Sequence, residues 1–97
     1  MAGTQYWGTA RWGTIQHVAY TGTAGEITTA ISTGVFKVRI IVTTAAFVRV
    51  SAPADTATSS DAYVAAGVPE YVTCSPGQKV SAMQVSSGGT LYVTECL

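Results

Sequence analysis

The sequence predicts an all-β domain: one small sandwich or barrel of seven to eight short antiparallel strands, with an extended N-terminal arm. Three observations lead there. Apolar and polar residues alternate over short runs, the period of a strand with one buried face. Breaks bearing Gly, Pro, Ser and Asp separate those runs at the spacing of a sandwich or small barrel. No helical pattern of useful length appears, and leucine is confined to Leu91 and Leu97. With 97 residues there is room for one core.

Residues 1–14 are expected to be the arm and residues 15–97 the β domain. The arm carries a small internal echo, Trp7-Gly8-Thr9 and Trp12-Gly13-Thr14, with Tyr6 beside it. Its glycines weaken any regular element. Its aromatic rings call for burial, either in this chain or in a neighbour.

Ile15–Tyr20 reads as a strand, ended by the Gly-rich stretch Thr21–Gly25. Glu26–Ser32 is β-branched and weakly alternating, either a strand or an irregular edge. Val35–Thr44 is the strongest strand signal, with Phe36, Val38, Ile40 and Val42 on one face and Lys37, Arg39 and Ile41 on the other. Ala46–Ser51 follows after only Thr43-Thr44-Ala45, which predicts a hairpin between the two. Pro53–Asp61 is small, polar and Pro-led, the signature of an exposed loop tolerant of change. Ala62–Ala66, Glu70–Cys74, Gln78–Val85 and Thr90–Cys96 complete the set. The turn signals Ser75-Pro76-Gly77 and Ser86-Ser87-Gly88-Gly89 separate the last three, and the Gly pair is expected in a tight hairpin turn.

Charged residues make up only 10% of the chain, against roughly 25% for an ordinary soluble domain. Five Lys/Arg balance five Asp/Glu. A neutral surface built from Thr, Ser, Gly and Gln suits a chain whose faces are covered by neighbours, or a Thr-rich protein of extracellular type. Clustered basic residues are lacking, which argues against nucleic acid and against a polybasic membrane contact. No apolar run approaches the ~20 residues of a membrane span. The N-terminus has no basic-then-apolar signal pattern, so synthesis in the cytoplasm is expected.

Chemistry-bearing residues are sparse. His17 is the only histidine, which rules out a multi-His metal site and leaves it an ordinary strand position. Asp55 and Asp61 flank one loop but match no calcium-loop spacing. Lys37, Arg39 and Arg49 would form one basic patch if the central hairpin forms. Cys74 and Cys96 each end a predicted strand, so a disulfide between them and two free thiols are the alternatives. Nothing here recommends an enzyme, a metal, a cofactor or a small-molecule substrate.

The C-terminal third resembles a family of small tailed-bacteriophage virion proteins. The resemblance lies in Ala66-Gly67-Val68-Pro69-Glu70-Tyr71, Ser75-Pro76-Gly77-Gln78-Lys79-Val80-Ser81-Ala82 and Ser87-Gly88-Gly89-Thr90-Leu91-Tyr92-Val93-Thr94-Glu95. A weaker match reaches back to Val38, and residues 1–14 lie outside it. These motifs are turns and strand ends. Among such proteins the chain looks most like head decoration (cement) proteins. That implies a sandwich of jelly-roll type, a homotrimer, a place on the capsid surface, and the major capsid protein as partner. Tyr6, Trp7, Arg11 and Trp12 are the expected partner-binding residues. The alternative is a tail or head-fibre accessory that stacks host glycans on Tyr63, Tyr71 and Tyr92.

Overall fold

The structure, a computed structural model, describes residues 11–97. Its strands are β1 (Trp12–Tyr20), β2 (Gly25–Glu26), β3 (Lys37–Val42), β4 (Ala46–Ser51), β5 (Ala62–Val64), β6 (Glu70–Thr73), β7 (Lys79–Gln84) and β8 (Gly89–Cys96). They form two packed four-stranded sheets: sheet A in the order β1-β8-β3-β6, sheet B in the order β2-β7-β4-β5. Every pairing is antiparallel.

The pairing has a simple logic. The first strand pairs with the last, the second with the seventh, the third with the sixth and the fourth with the fifth. The chain is thus one long antiparallel ribbon bent back on itself. Rolling that ribbon sets β3 beside β8 and β4 beside β7, and the two sheets form. The sheets stay separate layers and do not close into a barrel.

Two expected hairpins are corrected by this topology. β3 and β4 lie in different sheets, as do β7 and β8. A two-residue hairpin of the favoured kind needs positive φ in its turn. The described residues with positive φ are Gly34, Ala54, Gly67 and Gly77, so neither Thr43-Thr44-Ala45 nor Gly88-Gly89 supplies it. Instead, the Tyr20 hydroxyl donates to the Thr44 carbonyl at 2.5 Å and accepts from the Thr44 N–H at 3.2 Å, so a buried side chain of β1 holds the β3–β4 crossing. The Gly pair serves close approach. A Cβ at Gly89 would stand 2.5 Å from Thr44 Oγ1 and 2.7 Å from the Tyr20 hydroxyl.

The alternation places the core as expected along most of its length. Val38, Ile40 and Val42 of β3 face inward against Leu91 and Val93 of β8, and Val48, Val80 and Ala82 close the core from sheet B. Phe36 departs from the expected face: it precedes β3 and is 63% exposed. The weak strand expected at Glu26–Ser32 is only Gly25–Glu26. The chain beyond it is irregular and drops Ile27, Ile31 and Val35 into one end of the sandwich. Buried Glu95 fixes that plug by accepting from the Ser32 N–H and hydroxyl, both at 2.9 Å. β1 begins at Trp12, so the strand takes in residues 12–14 of the expected arm, with a bulge between Trp12 and Ile15.

Candidate interaction face

Facing residues in a ladder share one side of the sheet. On sheet A the outward set is therefore Trp12, Ile15 and His17 on β1; Tyr92, Thr94 and Cys96 on β8; Lys37, Arg39 and Ile41 on β3; and Tyr71 and Thr73 on β6. Four of these are large and stay exposed: Trp12, Ile15, Tyr71 and Tyr92, at 61, 64, 42 and 41%. Isolated exposed apolar residues need no explanation, but several on one flat face mark an interaction surface.

Three ring contacts organise the face. The Arg39 guanidinium lies over the Trp12 ring, 5.6 Å from its centroid. Trp12 and Arg39 come from β1 and β3, so they meet across β8, above Thr94 and Cys96. The Lys37 ammonium lies 5.7 Å from the Tyr71 ring centroid. His17 and Tyr92 meet edge to face at 5.7 Å, beside a shallow hollow of about 400 Å³ lined by Ile15, Gln16, His17 and Tyr92. Such contacts are each worth about 0.5–1 kcal/mol at an exposed site, enough to hold a ring's orientation. A second hollow, of about 410 Å³, opens where β5 and β6 part, lined mainly by apolar residues such as Val48, Val50 and Val72.

Sheet B is different outside. The segment between β4 and β5 folds back over it. The Ala57 N–H donates to Ser81 Oγ at 2.8 Å, and both residues are buried. The Ala54 N–H donates to Glu26 at 2.9 Å. Arg49 reaches both acids of the segment, Asp55 at 2.6 Å and Asp61 at 3.0 Å. The Thr58 N–H and, after it, the Arg49 guanidinium hold the Asp61 carboxyl below its usual range; Asp61 in turn raises Arg49. The pair Asp55 and Asp61 therefore grips an arginine. Most residues of this loop are exposed, as expected, and it is also fastened at several points.

These placements divide the sequence-stated residues. Tyr6 and Trp7 lie outside the described residues. Arg11 is exposed, its carbonyl accepting from the Leu97 N–H at 2.7 Å. Trp12 is on the outer face of sheet A, exposed within its own chain. The expected patch of Lys37, Arg39 and Arg49 is split, because β3 and β4 are in different sheets. Tyr71 and Tyr92 share sheet A, whereas Tyr63 sits on sheet B, edge-on to Phe47 at 6.4 Å. The three tyrosines do not form one platform.

Cys74 and Cys96 are free thiols. β3 stands between their strands, since Lys37 faces both Thr73 and Cys96. That is two ladder spacings, roughly 9–10 Å. Cys74 packs against the core while Cys96 sits on the outer face. A disulfide needs Cα atoms under about 7 Å and converging side chains, so this arrangement does not join the two within one chain. Burial pushes both thiols up from their ordinary pKa.

The residues that sequence reasoning missed are Ile15 and the His17–Tyr92 pair. Only the β1–β8 ladder, a pairing of the chain's two ends, brings them beside Trp12 and Arg39. Among the described residues no three His, Cys, Asp or Glu side chains gather as a metal site would require. A scan against protein-family models finds no matching family, and searches of curated proteins and of solved structures find no similar protein.

Proposed function

We propose that the protein is a capsid decoration subunit of a tailed bacteriophage. It would bind the major capsid protein as a homotrimer on the outside of the head and stabilise the shell by bridging capsomers. The observation that carries this reading is the uncovered ring-and-cation face of sheet A, on a chain whose charge is otherwise sparse. Such a face serves contact and has no evident use within one subunit. Two further features support it. The strand order 1-8-3-6 over 2-7-4-5 supports reading the sandwich as a jelly roll, an architecture frequent in viral shells. The residues that resemble phage virion proteins serve the crossings between sheets, with Gly67 and Gly77 at φ 72° and 88°. Several modest contacts per trimer would add up to firm attachment by avidity.

The test is co-sedimentation of the full chain with undecorated heads of the phage that carries it. Saturable binding and heads more resistant to heat are expected; heads that pellet without the protein would refute the reading. Removing residues 1–10, which leaves β1 whole, isolates the contribution of Tyr6 and Trp7. The glycan reading has the His17–Tyr92 hollow in its favour, and it predicts retention on a glycan array.

A further inference from the structure

We infer that the outer face of sheet A is the docking face, and that its partner is an acidic protein surface with apolar side chains between its carboxylates. This deepens the function proposed above and rests on it for the identity of the partner, not for its chemistry.

Charge is segregated in this neutral chain. Lys37 and Arg39 point outward from sheet A. None of the five acids does. Glu26 faces outward from sheet B, and Asp55 and Asp61 lie in the loop above it. Glu70 and Glu95 sit at inward ladder positions, facing Ile40 and Val38. The salt bridges among the described residues involve Arg49 alone, so Lys37 and Arg39 are met only by rings. A guanidinium stacked on a ring keeps its N–H edge free, and that edge fits a carboxylate bidentately.

The same layout disfavours a second copy of this chain. Two sheet A faces pressed together would bring Lys37 and Arg39 toward their own equivalents. A head-to-tail contact would have to rely on the exposed Glu70, because Asp55 and Asp61 are held by Arg49, Glu26 by the Ala54 N–H and Glu95 by Ser32. A foreign acidic surface meets neither obstacle.

Size sets the strength. Four strands about 4.8 Å apart and six residues of about 3.3 Å give a face of roughly 20 by 20 Å, about 400 Å². A stable protein complex buries about 800 Å² on each partner. One copy therefore binds weakly, and firm attachment needs repetition. Rings fixed in place by their own contacts lose little freedom on docking, which suits them as anchors.

The experiment uses the ¹⁵N-labelled full chain and the random copolymer of glutamate and tyrosine as probe, followed by NMR shifts. The expected result is shifts centred on Trp12, His17, Arg39, Tyr71 and Tyr92. Binding should weaken about tenfold in the double variant Lys37→Glu, Arg39→Glu. It should weaken similarly at about 1 M salt, where the Debye length is about 3 Å. Lys79→Glu, on sheet B, should change nothing. The milder Lys37→Gln, Arg39→Gln pair, checked by thermal melting, guards against misfolding. Shifts centred on sheet B would overturn the inference. So would tighter binding of hyaluronate oligosaccharides at the same residues, or concentration-dependent shifts there without probe. Undecorated heads separate this from the proposed function. If the double variant coats heads as well as the natural chain, the docking face is wrong and the function stands. If the natural chain fails to coat heads, the function falls while the copolymer result is unaffected.

Discussion

On sheet B, the chain covers itself: the β4–β5 segment lies over the outer face, ends with Ala57 and Ser81 buried, and clasps Arg49 between two carboxylates. On sheet A, rings and cations stand in the same position relative to the core, yet Trp12 and Ile15 remain more than half exposed. Both faces are built from outward residues of similar strands. The difference is where the acids went. In sheet B the outward Arg49 is clasped by two carboxylates of the neighbouring β4–β5 segment, while Lys79 at the start of β7 takes part in no salt bridge among the described residues. In sheet A the cations lean on aromatic faces, which orient them without neutralising them. A self-satisfied face contributes to stability, and a face left unmatched is available to a partner.

The largest separation between the faces should appear in stability. Ser81→Ala leaves the buried Ala57 N–H without an acceptor and should cost about 1–3 kcal/mol in urea unfolding. In a domain of this size that lowers the melting temperature by several degrees, about 4–8 °C per kcal/mol. An unchanged melting curve would mean that the loop is not clamped.

Acid should act on sheet B next. The Asp61 carboxyl is held below its unfolded value, so its stabilising effect is complete above that value and is lost as pH falls through the lowered one. Amide protection at Ala57 and Thr58 should therefore be flat at neutral pH and fall below about pH 4. Residues of the sheet A face should show no matching change. Asp61→Asn should remove the transition.

Trp12→Ala or Tyr92→Ala on sheet A should change stability by no more than about 0.5–1 kcal/mol, because each loses one exposed ring contact. The same variants should weaken head binding clearly. A loss of stability as large as that of Ser81→Ala would show that the rings serve the fold.

The smallest effect concerns the thiols. Burial keeps Cys74 and Cys96 protonated at neutral pH, so both should react slowly with a disulfide reagent. Cys96 stands between Trp12 and Lys37 in the ladder, and Trp12→Ala should speed its reaction while leaving Cys74 unchanged. Equal acceleration of both would point to general loosening.

The legible part of the fold was local. Alternation through Val38, Ile40 and Val42, and through Val48 and Val50, marked the strands and their inward faces. The polar composition of residues 53–61 marked a loop. The partners were not legible. Ser75-Pro76-Gly77 and Gly88-Gly89 announce a change of direction, and the same residues serve a hairpin or a crossing between sheets. Absence of positive φ from Thr43-Thr44-Ala45 was the one cue against a hairpin, and it was readable as the lack of Gly, Asn or Asp there. Of the candidate face, Lys37 and Arg39 were legible as a pair but grouped with Arg49, Tyr71 and Tyr92 were grouped with Tyr63, and Trp12 was placed with the N-terminal arm; nothing in the sequence joined the three sets.

The sequence by itself determined that this chain is all-β, where most of its strands lie, and which side of each is apolar, because side-chain alternation is a property of consecutive residues. Tertiary structure alone decided that Arg49 parts from Lys37 and Arg39, that Cys74 and Cys96 face opposite ways, and that one face carries cations without acids. Those outcomes depend on pairing β1 with β8 and on rolling the ribbon into two layers. Contacts so far apart in the chain leave no periodic trace in it, since they are selected by the burial of the whole core at once.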